Sequence, residues 1–107
     1  VERASELKPK LVHEICTAHE INTLIEPSVA PLMRAKQVFS AKEAAFKAQY
    51  MLTGKMLGFS EIEIEFPAEG QFLARFTRPE SNFEKEFEGL GHSLLVDGHF
   101  IHTILMS

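Results

Sequence analysis

Residues 31–66 read PLMRAKQVFSAKEAAFKAQYMLTGKMLGFSEIEIEF, and the pattern of their apolar side chains changes part-way along. Up to residue 57 the stretch is rich in Ala, Met, Lys and Gln, which favour a helix, and Gly54 and Gly58 are typical of helix ends. From residue 61 acidic and apolar residues alternate, which is typical of a strand with one buried face. A helix followed by antiparallel strands predicts an α+β domain.

The residues before this stretch predict further helical structure. Residues 1–9 resemble the end of a strand that runs into a loop, and residues 10–25 have broadly helical apolar spacing. Thr17 and Glu20 have the spacing of a capping box, which could divide that helical stretch into two pieces. Together with the long helix, this predicts two to three helices.

The residues after it predict further strands, at 71–76, 92–96 and 100–106. The last two flank Asp97-Gly98, a strong two-residue turn signal, and therefore form a hairpin. Residues 77–91 are polar and irregular, which predicts a loop anchored by Phe83 and Phe87. We expect the helices to pack on this small antiparallel sheet in a single domain that spans residues 1–107.

Composition narrows the class of protein. The chain has 107 residues, of which 45% are hydrophobic and 24% charged, as in ordinary soluble globular domains. It contains no apolar run near the roughly 20 residues that a membrane helix requires, and no signal-peptide pattern. A single cysteine, Cys16, forms no internal disulfide, which fits the cytoplasm. A net charge of −4 argues against a nucleic-acid partner.

The distribution of charge points to a local site. Residues 30–58 hold five basic side chains and one acidic side chain, so this stretch carries +4 and the rest of the chain −8. A concentrated basic segment in an acidic protein suggests an anion-binding site. The alternative is a solvated helix face that bears lysines.

A helical projection of the long helix separates its faces. One wide face holds small and aliphatic residues, which predicts close packing against the sheet: Val38, Ala41, Ala44, Ala45, Ala48, Met51 and Leu52. A second apolar stripe holds Phe39, Phe46 and Tyr50. A polar strip between them holds Lys36, Ser40, Glu43 and Lys47, while Lys42 stands apart.

The side chain of Glu43, on that polar strip, has three interpretations. It could form an i,i+4 ion pair with Lys47, or belong to a capping box with Ser40. In the functional interpretation its carboxylate binds Mg²⁺ while the lysine meets phosphate oxygens. The five histidines and Cys16 offer no convergent zinc set, and Cys16 is interpreted as a packing residue because it lies in an apolar stretch.

Residues 39–55, FSAKEAAFKAQY-x-L-T-G-K, resemble the W/F-x-x-K-E-A-x-x-K signature of the 4′-phosphopantetheinyl transferase superfamily. The similarity is greatest to the enterobactin-synthase and surfactin type. Val1-Glu2 resembles the end of the family's metal-binding G-x-D-x-E strand, and the closing GHFIHTILM is similar to the family's last strand. The resemblance covers nearly the whole chain, but only the C-terminal half of the enzyme.

The resemblance implies a Mg²⁺-dependent enzyme that moves 4′-phosphopantetheine from coenzyme A to a serine of an apo acyl or peptidyl carrier protein, in siderophore, polyketide or nonribosomal peptide biosynthesis. It implies that Glu2 and Glu43 are Mg²⁺ ligands and that Glu43 also helps to deprotonate the serine. Lys42 and Lys47 would contact the phosphates of coenzyme A, with Lys47 also taking part in catalysis.

The resemblance also implies that part of the enzyme lies outside these residues. The metal-binding Asp of the G-x-D-x-E strand would precede Val1, and the N-terminal half supplies much of the coenzyme A pocket. We therefore expect the chain alone to have little activity, and a homo-oligomer could cover the face that the other half would contact. Two alternatives remain: a non-catalytic module whose basic helix binds an acidic partner, and a purely structural domain.

Overall fold

After a two-residue first strand, the helices come before the other four strands, which confirms the α+β class. A computed structural model describes residues 2–3, 5–54, 58–76 and 87–106. The helices are α1 (Pro9–Ile15), α2 (Ala18–Glu20) and α3 (Pro31–Thr53), with a π-helical turn at Ile21–Ile25 and a 3₁₀ turn at Phe59–Glu61. The strands are β1 (Glu2–Arg3), β2 (Ile62–Glu65), β3 (Gln71–Phe76), β4 (Phe87–Val96) and β5 (His99–Met106).

The strands form one antiparallel sheet in the order β1-β5-β4-β3-β2. β1 contributes two residues at one edge, where Glu2 lies opposite Phe100 and Arg3 opposite His99. The first strand of the chain therefore lies beside the last.

Local sequence signals account for the helix ends. Proline opens both α1 and α3, where its missing N–H costs no helical hydrogen bond. Thr17 and Glu20 form a complete capping box that starts α2, so the helical stretch is indeed divided there. α3 ends at Gly54, which has a left-handed φ of 70° and donates its N–H to the carbonyl of Tyr50.

The hairpin signals are also confirmed. β2 and β3 alternate between buried and partly exposed residues, as a strand with one covered face requires. Asp97 and Gly98 have positive φ values of 49° and 72°, which are the signs of a type I′ turn, and they join Val96 to His99.

The loop predicted for residues 77–91 is wrong in its last part, because β4 begins at Phe87. Phe87 pairs with Phe76 in the sheet instead of anchoring a loop, whereas Phe83 lies outside the described residues. A Cβ at Gly91 would lie 2.3 Å from the carbonyl oxygen of Thr103 and 2.4 Å from the ring of Phe72. Glycine is therefore required here by close packing, and it does not mark a turn.

The core lies between α3 and one face of the sheet. The helix contributes Ala35, Val38, Ala41 and Ala45, each with no exposure, and the strands contribute Ile62, Ile64, Phe72, Ala74 and Phe76. The small helical residues confirm the predicted close packing. Met51 does not belong to this face, because it is 87% exposed. Within the described residues, no helix combines the length and the apolar character needed to cross a membrane.

Candidate functional site

Glu43 and Lys47 lie on α3 one turn apart, and the helix is continuous on both sides of them. The Glu43 side chain is half-buried and that of Lys47 is exposed. Because α3 begins at Pro31, Ser40 lies well inside the helix, and the capping-box interpretation of Ser40 and Glu43 is wrong. The helix thus presents a carboxylate and an ammonium along one side, next to the covered face.

Lys42 lies in the core instead of at the phosphate contact that the resemblance implied. Its ammonium is 2.7 Å from Oε1 of Glu20 and donates to the carbonyl oxygens of Ile15 (2.6 Å) and Phe59 (2.8 Å). Three partners match the three N–H donors of an ammonium, and the side chain has no exposure. Held in this way, Lys42 has no donor left for a ligand.

Glu20 is the partner that sequence reasoning missed. Its Oε1 accepts from the Thr17 N–H (2.7 Å) and its Oε2 from the Ile64 N–H (2.6 Å), and it has no exposure. A buried charge requires a partner of opposite charge. The position of Glu20, an acid within an apolar stretch, was the only sequence signal that could have indicated a buried ion pair. The ion pair joins α2 to α3, and the Ile64 hydrogen bond joins Glu20 to β2.

The predicted metal ligands are described only in part. Glu2 lies in β1 opposite Phe100, but its side chain is outside the described residues. Among the side chains that the structure describes, no three of His, Cys, Asp or Glu converge in a way that could hold a metal ion. The half-buried carboxylate of Glu43 supplies the hard oxygen donors that suit Mg²⁺, and the Glu2–Glu43 pair stays a prediction.

A chain of polar side chains joins α3 to the sheet, and the sequence did not indicate it. Ser40 Oγ lies 2.7 Å from His102 Nδ1, and Ser93 Oγ lies 2.9 Å from His102 Nε2. Gln37 donates to Ser93 (3.3 Å), and Arg34 donates to Gln37 (2.7 Å). Burial lowers the pKa of His102 from 6.5 to about 4, so the ring is neutral at pH 7.

Two surface cavities of about 360 and 310 Å³ are both lined by Arg34 and Gln37. The guanidinium of Arg34 stacks 4.2 Å from the ring centroid of Phe66.

Cys16 is buried, as predicted. Its burial, and to a smaller extent the negative charge of Glu20, raises the pKa of the thiol from 9.0 to about 11. The thiol therefore stays protonated near neutral pH and is not a nucleophile.

A family model of the 4′-phosphopantetheinyl transferase superfamily matches residues 1–104. The chain belongs to this superfamily. The matched range includes the K-E-x-x-x-K residues of α3 and extends into β5, and the resemblance of the chain to this superfamily is confirmed. No curated protein matches the chain. Membership supports a transferase, and α3 carries the residues that resemble the family signature.

Proposed function

We propose that this chain takes part in the Mg²⁺-dependent transfer of 4′-phosphopantetheine from coenzyme A to a serine of an apo carrier protein, as in the enterobactin-synthase type of the superfamily. The observation that carries the proposal is the side-by-side placement of Glu43 and Lys47 on the signature helix. One is a half-buried carboxylate and the other an exposed ammonium. These are the groups that a metal-assisted reaction at a phosphate requires.

Glu43 and Glu2 would hold the metal ion. Mg²⁺ is usually bound by one or two carboxylates, with substrate phosphates and waters completing its coordination. Two glutamates on α3 and β1 fit that requirement in donor chemistry. A bound Mg²⁺ would neutralise charge on the pyrophosphate of coenzyme A. In the family pattern an Asp two residues before Glu2 would add a further ligand.

Lys47 would bind a phosphate of coenzyme A. Its side chain is exposed and lies one helical turn beyond Glu43, so it can approach a pyrophosphate from the same side of α3. Lys42 has no part in this contact, because its ammonium is enclosed by Glu20 and two carbonyl groups.

In the proposed reaction the serine oxygen of the carrier forms a bond to the β-phosphorus of coenzyme A. The bond from that phosphorus to the bridging oxygen breaks, and 3′,5′-ADP leaves with the electron pair. The serine proton passes to a base, for which Glu43 is the candidate, directly or through one water. Positioning and charge neutralisation would supply most of the rate enhancement.

The alternative function, a basic helix that only docks an acidic partner, is less well supported. That function depends on exposed positive charge along α3. Lys42 is enclosed and is neutralised by Glu20, so the helix presents fewer cations than its sequence suggests. The Lys36 ammonium lies 5.5 Å from the ring centroid of Phe39, beside an apolar surface.

The test uses the full-length protein with coenzyme A, Mg²⁺ and an apo carrier protein, and mass spectrometry of the carrier. We expect Glu43→Gln to abolish the mass increase, while Glu14→Gln, at an exposed residue of α1, leaves it unchanged. Lys47→Ala should raise the KM for coenzyme A, whereas Lys10→Ala should not. If the wild-type protein adds no mass to any carrier, the enzymatic proposal is wrong. Unchanged transfer by Glu43→Gln would remove Glu43 from the site.

A further inference from the structure

The side chain of His102 is fixed on several sides. Its two ring nitrogens contact the hydroxyls of Ser40 and Ser93, at 2.7 and 2.9 Å. The ring packs edge-on against Phe72, with centroids 5.1 Å apart and an interplanar angle of 77°. A neutral imidazole has one donor and one acceptor, and each hydroxyl can take either part, so both nitrogens are satisfied.

His102 joins α3, which carries Glu43, to β5, which pairs with the strand that carries Glu2. Ser40 precedes Glu43 by three residues on α3, which is one helical turn. His102 follows Phe100 by two residues on β5, and Phe100 is the register partner of Glu2. The Ser40–His102 contact therefore connects the helix that carries Glu43 to the strand that is paired with Glu2.

The spacing of these elements matters because Mg²⁺ tolerates little error in geometry. Its oxygen ligands lie about 2.0–2.1 Å from the ion in near-ideal octahedral order, so neighbouring ligand oxygens must be about 3 Å apart. A displacement of about 1 Å in a catalytic arrangement can cost about 100-fold in rate. A polar contact that fixes α3 against β5 would limit such displacement.

We propose that His102 is a positioning residue of the transferase site, and that it acts through Ser40 to hold Glu43 of α3 in register with Glu2 of β1. This inference rests on the proposed function for its catalytic consequence, but its effect on metal binding can be measured separately. Ser93 serves as the matched control, because it contacts the same ring and does not lie beside Glu43.

The first measurement is binding of Mg²⁺ to the full-length protein by titration calorimetry, with no carrier present. We expect His102→Ala and Ser40→Ala each to weaken Mg²⁺ binding about 10- to 100-fold, the range seen when a group that orients a metal ligand is lost. The double variant should be no weaker than either single variant, because both remove one contact. Ser93→Ala should stay within about 3-fold of wild type.

The second measurement separates positioning from a general loss of stability. His102→Asn places an amide near the former position of Nδ1, where it can contact Ser40. It should therefore restore part of the Mg²⁺ affinity that His102→Ala loses, and more of it than His102→Gln does. In the transfer assay, His102→Ala should lower kcat at fixed Mg²⁺ and leave the KM for coenzyme A within about 2-fold. Thermal unfolding of His102→Ala and Ser93→Ala shows whether the two variants lose the same stability. If they do, a weaker Mg²⁺ affinity in His102→Ala alone reflects positioning.

The outcomes distinguish the two proposals. Wild-type Mg²⁺ affinity in both His102→Ala and Ser40→Ala overturns the positioning role, whether or not the protein transfers phosphopantetheine. Failure of the wild-type protein to modify any carrier, with Mg²⁺ binding that still depends on His102, overturns the function and supports the positioning role. If the wild-type protein does not bind Mg²⁺, the positioning role is wrong.

Discussion

At the scale of single residues, the Glu20–Lys42 ion pair is the most constrained contact described. Both side chains have no exposure, and every ammonium donor and both carboxylate oxygens have partners. Such a pair contributes little net stability compared with apolar residues of the same volume, but removing one partner leaves an uncompensated buried charge. The pair thus fixes the arrangement of helices more than it strengthens the fold.

We expect Lys42→Met and Glu20→Gln each to lower the free energy of unfolding by about 3–5 kcal/mol, the cost of breaking a buried ion pair. The double variant should lose less than the sum of the two, because neither charge is left alone. Urea denaturation measures all three. Additive losses would show that the two side chains do not interact in solution.

Cys16 supplies a prediction about reactivity. Because burial raises the pKa of its thiol to about 11, very little thiolate is present at pH 8, and the side chain is buried in the native state. We expect iodoacetamide to modify Cys16 slowly in the native protein and rapidly in denaturant, as measured by intact mass. Fast native labelling at pH 8 would contradict the buried placement.

His102 supplies a prediction about acid stability. In the unfolded chain its imidazole titrates near 6.5, but in the folded protein its pKa is lowered to about 4. Between these values the unfolded chain binds a proton that the folded protein does not, so stability falls as pH decreases from 6.5 to 4. The slope has an upper limit of about 1.4 kcal/mol per pH unit, which partial exposure reduces. His102→Asn should flatten this slope in urea titrations at pH 4–7.

At the scale of elements, the sequence predicted the helix ends and turns that depend only on residues close together in the chain. The limits of α3, the capping box of Thr17 and Glu20, and the Asp97-Gly98 hairpin follow from capping and turn chemistry within a few residues. The buried alanines of α3 follow from its period. Of the candidate site, the placement of Glu43 and Lys47 on one helix side was predictable for the same reason.

What the sequence could not indicate depends on contacts between distant residues. The helical projection set Lys42 apart from the polar strip but could not show that it meets Glu20, because Glu20 lies on another helix. The Ser40–His102 contact joins residues 62 positions apart. The start of β4 was missed because residues 77–91 are polar and irregular in sequence, and the close packing of Gly91 against the Phe72 ring depends on a distant strand.

Gly91→Ala tests this explanation of β4. The added Cβ would overlap with the Thr103 carbonyl oxygen and the Phe72 ring, and overpacking of this kind costs about 1–3 kcal/mol of unfolding free energy. We expect a lower urea midpoint for Gly91→Ala, whereas Leu90→Ala, at a neighbouring residue that is 52% exposed, should change it less. An unaffected midpoint for Gly91→Ala would show that the strand is not packed as described.

At the scale of the whole molecule, the helices cover one face of the sheet. On the covered face Ile64 and Phe72 are almost completely buried, whereas Leu90, Leu94 and Val96 of β4 are 52%, 56% and 45% exposed. Adjacent residues of a strand point to opposite faces, so these three apolar side chains lie on the side away from α3, with the exposed His92 between two of them. The described part of the sheet thus has one packed face and one open face on which β4 exposes apolar side chains.

Two leucine-sized residues on opposite faces test this arrangement. Ile64→Ala should lower the free energy of unfolding by about 2–5 kcal/mol, the cost of truncating a buried aliphatic side chain. Leu94→Ala should change it by about 0.5 kcal/mol or less, as expected at an exposed position. Both are measured at low protein concentration. An equal loss at Leu94 would indicate that the outer face is covered in solution, as by a second copy of the chain.

The Glu20–Lys42 pair also restricts how the sequence of this protein can change over time. A mutation of either residue alone leaves an unpaired charge in the core, which a marginally stable domain tolerates poorly. Two apolar replacements together would be far less harmful, but they cannot arise one at a time without passing through a destabilised intermediate. The pair is therefore expected to persist, or to be lost as a unit, among descendants of this chain. Exposed residues of α3 outside the proposed site, such as Met51, can change singly.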